Sequence, residues 1–420
     1  MNDGPRVVIL GGGFGGLYAA KALRGAPVRV SVVDRRNHHL FQPLLYQVAT
    51  AGLNPADIAA PIRSILRGQD NVRVLLAEAT AVDRSRKRVR FLDGEIEYDY
   101  LIVATGATHA YFGRDDWRGF APGLKSIEDA LEIRRRVFLA YEAAEREPDP
   151  ERRRAFMSFV IIGAGPTGVE LAGALAEISR HALASEFDHI DPRQARIVLL
   201  DAASRVLPPY PEELSARARR QLERLGVEVR TGSRVTSIDA HGVQIGDERL
   251  VARTVVWAAG VAASPLAESL GVPLDRAGRV IVGSDLTPPG ADDVYVIGDL
   301  AALEQDGRPV PGVCPAAIQA GRHAAANVLR RLRGEPNAPF RYRDQGSFAT
   351  IGRGAAVGEV LGGFRLSGFA AWIAWMAIHI FFLIGFRNRV LVMFQWAYSY
   401  LTFRRGARLI TGAPAPPLRP

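Results

Sequence analysis

The sequence predicts an α/β protein: two Rossmann-like dinucleotide-binding domains, the second inserted in the first, followed by a C-terminal helical membrane-anchoring region. Two observations predict the doubled domain. A strand–glycine loop–helix–strand plan near the N-terminus recurs about 150 residues later, and each copy ends its second strand on an aspartate. A third observation sets the tail apart: from Ala370 onward Trp, Phe, Ile and Leu become dense. The expected boundaries are 1–115 and 281–345 for the first domain, 116–280 for the second and 346–420 for the tail.

The elements follow in chain order. Residues 6–10 are apolar from Val7 onward, as in a parallel strand buried on both faces, and Gly11 ends the run. A helix over about 15–23 and a strand over 28–33 complete the first βαβ start, with Asp34 at its end. Strand 100–104 stops at Thr105-Gly106, and strand 254–258 stops at Ala259-Gly260; each is a late return strand for its domain. The charged, proline-bearing stretch 146–154 is expected as a linker or exposed hairpin. Strand 159–162, loop 163–168, helix 169–178 and strand 196–200, ending at Asp201, form the second copy. Strand 294–297 leads into Gly298-Asp299, and a helix is expected to open near Pro315.

Composition narrows the class. At 420 residues and 48% hydrophobic, the chain can bury two cores and an appendage. The formal net charge of +9 and pI near 10.0 suit an anionic surface. No nucleic-acid motif is present, so a phospholipid membrane is the expected partner and nucleic acid is not. No metal-ligating pattern is found either. The N-terminal apolar run is too short for a signal-peptide core. One cysteine, Cys314, leaves no internal disulfide and fits a reducing compartment.

The chemistry lies in the loops. Gly11, Gly13 and Gly16 fill the G-x-G-x-x-G positions: one for the tight turn, one for close approach of a pyrophosphate, one for helix–strand packing. The helix N-terminus then faces the phosphates, and Asp34 is placed to accept from a ribose hydroxyl. Gly163, Gly165 and Gly168 repeat the pattern with Asp201 as the acid. A carboxylate there repels a 2′-phosphate, so NADH is expected over NADPH; Arg205 nearby could accommodate that phosphate. Asp299 at a strand end suits ribityl hydroxyls or a simple Asx turn. The N-terminus of the helix after it could stabilise negative charge on a reduced flavin, and Ala316 and Ala317 permit close approach of a flat ring. Glu170, read as lying in the first turn of its helix, is open to two readings: helix-dipole pairing, or proton transfer beside the redox centre.

Taken together, GGGFGG at 11–16, NHHLFQPLLYQVATAGL at 37–53, ATG at 104–106, GAGPTGVELAG at 163–173, VIGDLA at 296–301, AAIQAGRHAA at 316–325 and the tail from Trp372 to Ile410 resemble the type II NADH dehydrogenases. These are single-subunit NADH:quinone oxidoreductases, and the resemblance covers nearly the whole chain. It implies FAD in the first domain, held by Gly11, Gly13, Gly16, Asp34, Thr105, Gly106 and Asp299, with Phe14, Gly15, Arg35, Ala79 and Ala317 adding contacts. It implies NADH as co-substrate on Gly163, Gly165, Thr167, Gly168 and Asp201. Glu170 matches a family glutamate near both substrates, and Gln319 matches the later glutamine of a motif near the quinone; Pro315 replaces the earlier one. These two are the expected catalytic residues. The implied chemistry is hydride transfer from NADH to FAD and then two electrons, with two protons, to a membrane quinone, without proton pumping.

In the tail, 366–386 carries no formal charge and is long enough to span a bilayer. Arg387, Arg389, Arg404, Arg405 and Arg408 flank the apolar runs, and Trp372, Trp375, Trp396, Tyr398 and Tyr400 suit an interface. Ala370, Ala374, Ala377 and Gly385 form one small-residue stripe that could press against the protein body or another helix. A spanning helix, a helical pair in one leaflet and a soluble interface, including a homodimer through the tail, all remain open; the resemblance favours the in-plane pair on the cytoplasmic face of the cell membrane, peripheral or monotopic. His379 is expected to be packed, not a proton relay. Disulfide reductases and sulfide:quinone reductases need cysteines that this chain lacks. A ferredoxin-type reductase of a protein acceptor and a non-catalytic NADH-binding redox sensor are the remaining rivals.

Overall fold

Two parallel sheets carry the architecture in a computed structural model that describes residues 4–360, 363–384, 386–402 and 406–412. By contact density the chain divides into two compact units. The first comprises Met1–Leu40, Ala59–Thr108 and Val261–Gln345; the second comprises Phe41–Ile58, His109–Gly260 and Gly346–Pro420. The short segment Phe41–Ile58 and the tail thus group with the second unit.

In the first unit five parallel strands lie in the spatial order Val294–Val296, Tyr100–Val103, Arg6–Leu10, Arg29–Asp34, Val72–Leu76. Val7, Ile9 and Ile102 are fully buried, which is why these strands read as unbroken apolar runs. In the second unit the order is Val227–Arg230, Arg196–Leu200, Ser158–Ile162, Thr254–Trp257, again all parallel. Strand order reverses beside Arg6–Leu10 in one sheet and beside Ser158–Ile162 in the other. Ligands of open α/β sheets bind at the carboxyl ends of strands at such switch points. Each unit also carries a three-stranded antiparallel meander: Ala79–Asp83, Arg88–Phe91 and Glu95–Glu97 in the first, Val235–Asp239, Gly242–Ile245 and Glu248–Val251 in the second.

The charged stretch 146–154 is neither linker nor hairpin. A capping box between Ser126 and Asp129 starts the helix Ile127–Arg146, and a second helix, Pro150–Phe156, follows after three residues. Asp149 caps it by accepting from the N–H groups of Glu151 at 2.7 Å and Arg152 at 3.2 Å. Asp-Pro is thus a helix start, cap plus a proline whose missing N–H has no partner to lose.

The tail also departs from expectation. Leu366–Gly368 ends a strand, Phe364–Gly368, of the sheet formed with Ser347–Thr350 and Ala356–Val360. Gly368 then turns the chain at φ +71°, and the helix runs only from Phe369 to Phe382. Its 14 residues rise about 21 Å, short of the ~30 Å hydrocarbon core. Among the described residues no helix is long and apolar enough to cross a membrane, which overturns the spanning reading. The buried side of this helix is Ala371 and Trp375, whereas Ala370 and Ala377 are exposed, so the expected alanine stripe is not the packing face. Trp375 is a core residue, 2% exposed, stacked on Trp396 at 5.3 Å between ring centroids. Gly385, Arg404 and Arg405 fall outside the described residues, as do the side chains of Arg387, Tyr398 and Tyr400.

Candidate functional site

The two glycine loops are built alike to the level of single atoms. Gly11 and Gly163 each adopt a positive φ, +102° and +107°. A Cβ on Gly11 would run into the Ala104 carbonyl of the neighbouring strand end, and one on Gly163 into Ala258. A Cβ on Gly16 would overlap the Gly11 oxygen, and one on Gly168 the Gly163 oxygen. Every other residue type is therefore excluded by backbone, not by mobile side chains.

The acids are likewise parallel. Asp34 Oδ2 accepts from Gly12 N at 2.6 Å and Oδ1 from Arg36 N at 2.7 Å. Asp201 Oδ2 accepts from Ala164 N and Oδ1 from Ala203 N at 2.7 Å. Each carboxylate thus ties the glycine loop to the end of its strand and keeps one lone pair on each oxygen for a ligand. The helices Phe14–Ala22 and Pro166–Glu177 begin at Gly13 and Gly165 with no side-chain cap and no acid in the first turn. Their leading N–H groups and positive dipole ends stay available for an anion.

Around the first loop, Gly15 packs against Ile297 and the Ala317 carbonyl, so the helix Phe14–Ala22 is locked onto the helix Cys314–Leu332. That second helix opens after Val313, also without a side-chain cap, with Pro315 in its first turn. Asp299 lies half-buried in a tight turn made by Gly298 at φ +70°. Thr105 Oγ1 is buried and meets no hydrogen-bond partner among the described residues, and Gly106 beside it has φ +66°. Arg35 reaches outward to Glu78 at 3.3 Å, and Ala79 begins the meander strand next to it. Gln319 is clasped at both ends of its carboxamide: Nε2 donates to the Arg343 carbonyl at 2.9 Å and Oε1 accepts from Arg343 N at 3.0 Å.

One residue of the first unit was not singled out from sequence. His39 is 2% exposed; its Nδ1 lies 2.9 Å from the Gly12 carbonyl and its ring meets Phe14 edge-on at 4.9 Å. Burial pushes its pKa down to about 4. Its signal in the sequence is a histidine pair, His38-His39, in the segment that follows the second strand.

In the second unit, Thr167 is exposed on the loop and Arg205 is held through Nη2 to the Pro208 carbonyl at 2.7 Å. Glu170 is the fifth residue of its helix, beyond the first turn, so the dipole reading loses its geometry. It is buried, and desolvation pushes its pKa up to about 8. Burial thus favours the protonated form of this carboxyl. Its Oε1 takes one weak bond from Thr350 N at 3.4 Å. A polar line runs on from there: Thr350 Oγ1 to Tyr46 OH at 3.0 Å, Gln47 Nε2 donating to Tyr46 OH at 3.0 Å, and Trp396 Nε1 donating to Gln47 Oε1 at 2.8 Å. Beside it opens a cavity lined by Tyr46, Glu177, His181, Trp372, Trp375 and Trp396. His181 sits on a π-helical turn, Ile178–Ala182, a geometry common at functional sites. His379, expected to be packed, bonds through Nδ1 to the Trp375 carbonyl at 2.7 Å, and burial lowers its pKa to about 4.

Residues 5–321 match the pyridine nucleotide-disulphide oxidoreductase family, and residues 345–405 match the NDH2 C-terminal domain. A type II NADH:quinone oxidoreductase, Ndh, of Mycobacterium tuberculosis is 47% identical across 98% of this chain and 91% of its own length. The chain belongs to the type II NADH:quinone oxidoreductases. A member from Staphylococcus haemolyticus is 31% identical over 86% of this chain and 90% of its own. The structure of NDH2 from Plasmodium falciparum in complex with NADH covers 97% of this chain and 100% of its own with a TM-score of 0.87; at 20% identity this speaks to the fold. The α/β architecture and the apolar C-terminal region are therefore those of the NDH2 family.

Type II NADH:quinone oxidoreductases work with FAD and NADH, and the first cradle fits such a cofactor. Gly11 and Gly16 admit no side chain, the space beside Gly13 is open, the helix end is uncapped, and Thr105 Oγ1 is buried without a partner among the described residues. The second cradle offers the same loop, uncapped helix and acid for NADH.

Proposed function

We propose that this chain catalyses NADH + H⁺ + quinone → NAD⁺ + quinol at the cytoplasmic face of the cell membrane, without moving protons across it. The observation that carries the reading is a doubled nucleotide cradle in a sequence with a single cysteine. Two dinucleotides are accommodated, yet no cysteine pair exists to take electrons internally, so the acceptor must come from outside.

FAD in the first unit would supply the two-electron step, taking a hydride equivalent from NADH and returning an electron pair to the quinone. The chain's own residues do the rest. Gly11, Gly13 and Gly16 admit the pyrophosphate of FAD, Asp34 and Asp299 take sugar hydroxyls, and Thr105, Gly106 and Ala317 line the approach. Gly163, Gly165, Thr167, Gly168 and Asp201 hold NADH, and Asp201 disfavours a 2′-phosphate. Gln319 is a positioning residue whose clamp on Arg343 fixes the helix Cys314–Leu332. Glu170, whose burial favours the protonated form, holds a proton at Oε for the quinone as it is reduced, and the line through Thr350, Tyr46 and Gln47 orders the groups around it. The tryptophan-walled cavity with Glu177 and His181 at its edge suits a flat apolar ring with polar rims.

The tail supports docking on a phospholipid surface in one leaflet. Phe369, Phe381 and Phe394 are 57%, 69% and 71% exposed on its two helices. Such a face is what lies in an interface plane, and it is also the face a homodimer would use. Anionic vesicles should pellet the wild type and leave F381S/F394S in solution; equal pelleting would refute docking, and a dimer lost in the variant would assign the face to self-association. For the reaction, purified enzyme with NADH and a short-chain quinone should form one quinol per NADH consumed. NADH oxidation that yields no quinol, or that needs a small electron-transfer protein, would refute the quinone assignment.

A further inference from the structure

His39 has a chemically fixed orientation that leaves one atom unused. Burial holds the ring neutral, so it carries one N–H. The Gly12 carbonyl, 2.9 Å from Nδ1, can only accept, so that proton sits on Nδ1. Nε2 is then a bare lone pair. It is buried with the rest of the ring, and no group among the described residues bonds to it. Leaving such an acceptor unpaired costs as much as losing a hydrogen bond outright. The ring stands against Gly12 and Phe14, the residues that open the uncapped helix Phe14–Ala22.

We propose that His39 is a cofactor-binding residue of the first cradle, its Nε2 accepting a hydrogen bond from a sugar hydroxyl of the bound FAD. A phosphate has no donor at neutral pH to offer a lone pair, whereas ribose and ribityl hydroxyls do. Asp34, the acid at this strand end, already gives one lone pair of each oxygen to Gly12 N and Arg36 N, so a second acceptor serves a sugar with several hydroxyls. His39 thus couples the two jobs: Nδ1 holds the loop and Nε2 reads what the loop holds. The inference rests on FAD binding in the first unit.

Asparagine and glutamine separate the two nitrogens, since Asn places its amide near Nδ1 and Gln places its amide near Nε2. Apo-protein is titrated with FAD by flavin fluorescence, alongside melting of the apo-protein. H39N keeps the bond to Gly12 and should bind FAD about tenfold more weakly, the scale of one hydrogen bond left unmade, with an unchanged apo melting temperature. H39Q should regain part of the affinity through its Oε1. In the wild type, the imidazole ¹⁵N signal of His39 Nε2 should move on FAD addition while Nδ1 stays protonated. H39N binding FAD like the wild type, or an Nε2 signal that FAD leaves in place, would overturn the proposal and give the atom to a buried water. A wild type that binds no FAD would instead sink the cofactor reading itself.

Discussion

Replacing Glu170 by glutamine isolates the cost of burying one carboxylate. In the folded chain the group titrates near 8 instead of 4.5 because burial disfavours its charge. At about 1.36 kcal/mol per tenfold change in proton affinity, that gap amounts to about 5 kcal/mol as an upper bound. The sign follows from linkage. Below pH 4.5 both folded and unfolded chains hold the proton, and the burial costs nothing extra. Between 4.5 and about 8 the unfolded chain ionises while the folded one does not, so stability falls with rising pH. Above pH 8 the loss is complete. E170Q has no such titration. Denaturant unfolding at pH 5, 7 and 9 should show wild type and variant alike at pH 5 and the variant ahead by several kcal/mol at pH 9. Quinone reduction by the wild type should decline above pH 8 as the proton is lost. In E170Q it should be about a hundredfold slower and lack that limb. Equal pH dependence of stability in the two proteins would refute the buried, protonated carboxyl, and an unaltered rate profile would refute its role in proton supply.

The doubled cradle gives a cleaner separation: G16A should lose FAD, because the new Cβ meets the Gly11 carbonyl, whereas G168A should keep its yellow colour and raise the KM for NADH at least tenfold. Flavin absorbance and steady-state kinetics check both. Wild type should prefer NADH to NADPH, and D201N should narrow the preference while loosening the loop that Asp201 ties through Ala164 and Ala203; kcat/KM with each nucleotide reads this. W396F removes the indole donor to Gln47 and should cost about 1 kcal/mol of stability without changing FAD affinity, measured by denaturant titration.

What the sequence made legible is local. Gly11, Gly16, Gly163 and Gly168 announce themselves because their backbone geometry admits nothing else, and the acids at 34 and 201 follow at a strand end. The single cysteine removed whole classes of chemistry by count alone. What stayed hidden depends on distant partners. Glu170 is a raised carboxyl through burial, which its own helix does not reveal, and the one bond it accepts comes from Thr350, 180 residues away in sequence. Nothing in the segment 41–58 announces its long-range partners, Thr350 for Tyr46 and Trp396 for Gln47. The tail misled because apolar length says nothing about a glycine at φ +71° that ends a strand and begins a helix. Its small-residue stripe does not set the inward face, which Ala371 and Trp375 make, with Trp375 stacked on Trp396 and tilted against His379. His39 was invisible as a site residue, because only the Gly12 contact shows which of its nitrogens is left over.

Anaerobic stopped-flow spectroscopy of the purified holoenzyme tests the central claim most directly. NADH should bleach the flavin band, and a short-chain quinone added next should restore it within a catalytic turnover. A flavin that NADH bleaches but quinone leaves bleached would contradict the account and return the chain to a redox sensor or a reductase of a protein acceptor.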